Sequence, residues 1–300
     1  MSMTTALRHS SPIALAAIIL MLPGTIAHAI VAGEPAQDPN GVRNITVRID
    51  SSRGELCSGA IINPQTILTA AHCVLGGGNF TVTSLDPNFR SRRHKVAKVV
   101  VHPSFQRGTT PRTQPGADLA MIRLSDPLPA DMGAVSIGSG MWNGESLTIS
   151  GFGLGVEGRN ASARSLRQAR LVTTGTYTSA NSVTVAVDET RLGQEAGAGA
   201  CRGDSGGPAL RGGPNSRDLV GIVSWTSGPM TSIERRVCGG FTSITPVSEH
   251  ASWIAATAMA LDQSLPTQNT AGERITSSSA SQKAKPSAPT GGSNALVIER

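Results

Sequence analysis

The chain has 300 residues, a formal net charge of +6 and 39% apolar residues, enough for one large folded unit or two small ones around a sizeable core. Aromatics make up only 3%, so that core must be built mostly from Val, Ile, Leu and Ala. The basic cluster of Arg90, Arg92, Arg93 and Lys95 has no interleaved aromatics for bases to stack on, and it reads as a solvated loop with no nucleic-acid partner.

Residues 1–29 have the layout of a signal peptide: Arg8, an apolar run from Pro12 to Leu22, the helix breakers Pro23 and Gly24, then the small-x-small site Ala27-His28-Ala29. Eleven apolar residues are far fewer than the ~20 a membrane span needs, so the segment reads as cleaved, leaving no membrane anchor. Removing Arg8, with no acid nearby, lowers the charge from +6 to +5. Export predicts a secreted or periplasmic protein, in which the even count of cysteines (Cys57, Cys73, Cys201 and Cys238) suggests disulfides. Composition leaves three pairings open. With no C-x-x-C pair and no H-E-x-x-H, neither a metal nor any other cofactor is expected.

From Ile45 to Trp225 short β-branched runs alternate with Gly, Pro, Asn and Asp. The runs are ITVRID at 45–50, CSGAII at 57–62, TILTA at 66–70, FTVTSL from Phe80, KVAKVVV from Lys95 and LAMIRL from Leu119. SLTIS, ARLVTT, VTVAV and LVGIVSW follow in the second half. Without the helices that parallel sheets require, the fold class is all-β, sandwich or barrel. One helix is predicted near the end, with Thr245 as N-cap, Pro246 at its first position, and Val247, Ala251, Ile254, Ala258 and Leu261 on one face. Residues 262–300, rich in Ser, Thr, Ala, Pro, Gly and Gln, read as a disordered tail, its closing Ala295-Leu296-Val297-Ile298 included.

Three segments carry chemistry: TAAHC at 69–73, DLAMIRL from Asp118 and CRGDSGGP at 201–208. A serine hydroxyl is a poor nucleophile at neutral pH; it needs a base in hydrogen-bond reach and a third group to fix the base's tautomer. His72 suits proton transfer, a buried Asp118 would hold its ring, and Ser205 would attack. The glycines flanking Ser205 permit a tight backbone path that aims the N–H groups of Gly203 and Ser205 at one spot, an oxyanion hole. Gly203 to Gly207 also fits the G-x-S-x-G pattern of α/β-hydrolases, but the order His, Asp, Ser and the lack of βα alternation stand against that fold.

With IVAG at 30–33, LTAAHC at 68–73, ISGFG at 149–153, CRGDSGGP at 201–208 and SW at 224–225, the sequence resembles the chymotrypsin/trypsin-like serine protease family from Ile30 to Leu261. The resemblance implies two antiparallel six-stranded β-barrels with a C-terminal helix, the first carrying His72 and Asp118, the second Ser205. It implies the disulfides Cys57–Cys73 and Cys201–Cys238, and an activation pair in which a new Ile30 amino terminus meets Asp204. The signal-peptidase cut falls directly before Ile30, so export itself would create the active terminus. The substrate-binding residues would be Gly199 and Ala200 at the base of the primary pocket, Ser224 and Trp225 along a substrate-pairing strand, and Thr226 at the pocket mouth; Ser224 would also bond Asp118.

Trypsin-like members carry Asp where Gly199 stands, and many members have Gly where Thr226 stands. Cleavage after small or medium apolar residues follows. Residues 226–240 depart from the family in length, and Glu234 within them would restore a basic preference if it folded into the pocket. Residues 79–95 lack the carboxylates of a calcium loop. The expected function is a monomeric secreted serine endopeptidase acting on proteins or peptides and open to protein protease inhibitors. The alternative is a catalytically silent homologue acting as a binding protein.

Overall fold

The computed structural model describes residues 30–38, 41–178, 181–213, 216–231, 236–263 and 297–299. The expected signal peptide, Glu234 and nearly all of the expected tail lie outside the described residues.

Twelve strands form two closed barrels. The first contains β1 (Thr46–Ser51), β2 (Leu56–Asn63), β3 (Thr66–Thr69), β4 (Phe80–Leu85), β5 (Ser91–Val101) and β6 (Ala120–Leu124). Their antiparallel pairing runs β1-β2-β3-β6-β5-β4 and back to β1. The second contains β7 (Ser146–Gly151), β8 (Arg167–Thr178), β9 (Ser182–Asp188), β10 (Pro208–Gly213), β11 (Ser216–Ser227) and β12 (Phe241–Pro246). It closes in the same order, β7-β8-β9-β12-β11-β10, so one topology occurs twice without a sequence repeat. Closure removes the unpaired edges that would otherwise invite aggregation.

The composition explains the core. Ile49, Ile67, Leu68, Met121, Ile122 and Leu124 fill the first barrel, while Leu147, Ile149, Leu171, Val223 and Ile244 fill the second. Each such side chain contributes ~1.5–3 kcal/mol on burial, so many medium-sized aliphatics replace the few large aromatics of other cores. Phe152 is a fully buried aromatic near the junction of the barrels.

One expectation about the C-terminal region needs correction. The helix α1 spans Ala251–Gln263, preceded by a 3₁₀ turn at Ser248–His250. Thr245 and Pro246 do not cap it; they pair with Ile222 and Gly221 at the end of β12. Strand pairing overrode the local capping preference, and proline is tolerated because it closes the strand. Ile254 and Leu261 are buried as expected, whereas Ala251 is exposed. Within the expected disordered tail, Val297–Glu299 pairs antiparallel with Lys98–Val100 of β5, beyond the stretch of β5 that β4 covers.

Candidate active site

His72 lies on a 3₁₀ turn, Ala71–Val74, directly after β3. Cys73 on the same turn is bridged to Cys57 of β2, which fixes the turn to the barrel. Asp118 precedes β6 and is wholly buried. Its Oδ2 lies 2.8 Å from His72 Nδ1, and its Oδ1 accepts the His72 backbone N–H at 3.0 Å. From the second barrel, Ser224 Oγ donates to Asp118 Oδ2 at 2.6 Å. Burial alone would push the Asp118 carboxyl up; the charge and hydrogen bond of His72, the Ser224 hydroxyl and the His72 amide outweigh it and hold the group below the ordinary carboxylate value. An ionised Asp118 on Nδ1 leaves Nε2 as the nitrogen able to take a proton.

Ser205 sits in the turn leading into β10 and is half-buried. Its Oγ donates to the Ser224 carbonyl at 3.1 Å, not to His72. Such bonds commonly rearrange when substrate arrives. The turn itself is held rigidly by the first barrel: Ser58 N–H donates to the Ser205 carbonyl at 2.8 Å, and Ser58 Oγ donates to the Gly203 carbonyl at 2.9 Å. Gly206 has φ +83°, and a Cβ there would stand 2.1 Å from Thr69 Oγ1 and 2.2 Å from the Ser58 carbonyl oxygen. Glycine is required by both the dihedral and the space. The amide N–H groups of Gly203 and Ser205 donate to no acceptor among the described residues.

Behind the nucleophile, Asp204 is completely buried. Its carboxylate accepts the N–H groups of Gly153 at 2.8 Å and Cys201 at 2.9 Å. Burial outweighs these bonds, the Arg167 charge and the Ile30 backbone bond, and pushes the carboxyl up to about 7. Ile30 is wholly buried, and Val31 bridges to Gly199.

Cys201–Cys238 joins the nucleophile segment to the loop that leads into β12. Thr226 Oγ1 donates to both the Ala200 carbonyl, at 2.9 Å, and the Phe241 carbonyl, at 3.0 Å, so this side chain spans the space beside Gly199. Gly228 and Gly240 close in further: a Cβ on Gly240 would meet Gly228 C at 2.2 Å.

A family model described as Trypsin matches residues 30–254. The chain belongs to the trypsin family. As a trypsin-family protein it is 27% identical over 238 residues to coagulation factor IX of Cavia porcellus, covering 75% of this chain and 80% of that protein. It is 27% identical over 230 residues to lectizyme of Glossina austeni, covering 70% and 81% respectively. Its fold is similar to that of neuropsin, a serine protease expressed in the limbic system of mouse brain, with a TM-score of 0.60 at 22% identity over 76% of this chain and all of that one.

In this trypsin-family chain His72, Asp118 and Ser205 are brought together through Ser224, while Ile30 and Asp204 lie buried behind the nucleophile. Sequence reasoning missed Arg112, Tyr177 and Phe241, which line a hollow together with Trp225. No local pattern marks them, because they come from separate loops and strands.

Proposed function

We propose that this protein is an exported serine endopeptidase that cleaves after small or medium apolar residues through an acyl-enzyme. The observation that carries the reading is the relay from Ser224 and Asp118 to His72, set beside Ser205 and two amide N–H groups with no acceptor among the described residues. Ser205 Oγ releases the Ser224 carbonyl, passes its proton to His72 Nε2 and bonds to the substrate carbonyl carbon. The oxyanion accepts the N–H groups of Gly203 and Ser205. Collapse breaks the C–N bond as the imidazolium returns the proton to the leaving amine. Water then repeats the sequence on the ester, regenerating Ser205.

The domain division that fits this reading is a leader over 1–29, a protease unit over 30–261 and a tail over 262–300. Export is supported by the leader's composition and by two disulfides, which persist in oxidising compartments. A cut before Ile30 would supply an ammonium to a buried carboxylate whose nearest charge is otherwise that of Arg167. It would also abolish the φ of +49° at Ile30, a left-handed conformation unfavourable for a β-branched residue. The hydroxyl of Thr226, bonded to both walls, favours a small residue in the primary pocket.

Peptide-library cleavage by protein with Ile30 confirmed as its amino terminus, run beside Ser205→Ala, tests the proposal. Cuts after Ala, Val or Ser made by the wild type alone support it. No cleavage from the confirmed terminus would leave a binding role in its place.

A further inference from the structure

Beyond Ile222, where the pairing with β10 ends, two carbonyls of β11 lie two residues apart, as the pleat of a strand requires. The Ser224 carbonyl accepts Ser205 Oγ at 3.1 Å, and the Thr226 carbonyl accepts Arg112 Nη2 at 3.5 Å. Between them the guanidinium of Arg112 stacks on the Trp225 ring, 4.6 Å from its centroid. Tyr177 meets the same ring edge-on at 6.4 Å. With Val185 and Phe241 these residues line a hollow of about 450 Å³. Arg112 is exposed and has no ion-pair partner among the described residues.

We infer that Arg112 is a specificity residue that selects a carboxylate-bearing side chain two to four residues before the scissile bond; this rests on the peptidase reading above. An extended substrate adding to β11 needs the Thr226 carbonyl for one of its own backbone N–H groups. Arg112 currently occupies that acceptor through a long, weak contact, so the incoming strand displaces it. The displaced guanidinium stays over Trp225, because the cation–π contact is independent of the carbonyl. It then faces the substrate with five donors and no counter-ion. Asp or Glu meets those donors in a bidentate pair, while Lys or Arg there is repelled. The aromatic walls take the methylene stem of Glu.

The test is a set of peptides sharing one cleavage sequence and differing only at these three positions. Glu at one of them raises kcat/KM ~3–10-fold over Gln, and Lys lowers it, with the spread shrinking as salt rises. Arg112→Ala removes the spread, and Arg112→Glu inverts it towards Lys. Equal rates for Glu, Gln and Lys in the wild type, or a Glu preference that survives Arg112→Ala, overturn the inference. The same peptides are also titrated into Ser205→Ala protein by calorimetry, which needs no turnover. A Glu-over-Lys binding preference lost in Ser205→Ala/Arg112→Ala supports the assignment even if cleavage fails, and equal affinities reject it. Absence of any Ser205-dependent cleavage refutes the peptidase reading instead.

Discussion

Ser224 and Asp118, 106 residues apart, meet through a hydrogen bond of 2.6 Å that ties a strand of the second barrel to a carboxylate of the first. A register shift between Val223 and Trp225 turns Ser224 into this position, the re-aiming that β-bulges commonly perform. One residue thereby sets the orienter through its side chain and holds the nucleophile through its carbonyl.

Ser224→Ala should lower kcat/KM by ~10–100-fold, the range for losing a hydrogen bond of ~1.5–3 kcal/mol to a buried charge. The acid limb of the pH–rate profile should move as Asp118 loses part of what holds it ionised. Steady-state kinetics across pH checks this; an unchanged profile would show that Ser224 does not support Asp118.

Ser205→Ala should cost on the order of 10⁶ in turnover, and Asp118→Asn ~10⁴ through the wrong His72 tautomer. Ser205→Ala should leave thermal stability almost unchanged, since its hydroxyl is half-exposed and bonds one carbonyl. Calorimetry alongside burst kinetics separates a chemical defect from a folding one.

Gly206→Ala should destabilise the fold. Its Cβ would stand 2.1 Å from Thr69 Oγ1 on the other barrel, in a left-handed backbone that itself costs ~1–2 kcal/mol for alanine. Urea midpoints test this, and wild-type stability in the variant would refute the close approach.

The uncleaved chain should become less stable as pH rises. Its folded state keeps the Asp204 proton up to about 7, whereas the unfolded carboxyl loses it near 3.8. The folded state therefore binds the extra proton between those values; the stabilisation is complete below the lower value and is lost as pH climbs through the upper one. Cleavage before Ile30 supplies a cation for the ionised carboxylate and should flatten that fall. Melting temperatures of cleaved and uncleaved protein at pH 5 and pH 8 decide it, and parallel curves would detach Asp204 from activation.

Thr226→Gly should open the primary pocket. With neither the Ala200 nor the Phe241 carbonyl bridged, kcat/KM for substrates with Leu or Phe before the bond should rise ~5–30-fold relative to Ala, about 1–2 kcal/mol of newly accessible apolar contact. Profiling both proteins on one substrate panel measures the shift.

The order His72, Asp118, Ser205, the glycine-flanked nucleophile and the ten β-branched runs that became ten of the twelve barrel strands were legible in the residues themselves; Pro208–Gly213 and Phe241–Pro246 were not. Each is a local demand: a dihedral that glycine meets, an alternation that a strand buries, a group that a reaction needs. Tertiary structure alone decided the rest. Thr245 and Pro246 carry helix-start signals yet join β12, because hydrogen bonds to β11 outweigh a cap. The Ser205 hydroxyl rests on Ser224, and Arg112 reaches the Thr226 carbonyl 114 residues away, contacts that no neighbouring residue announces. A sequence fixes short-range preferences. Which distant groups meet depends on how two closed barrels share one cleft, and that is determined by the packing of the whole chain.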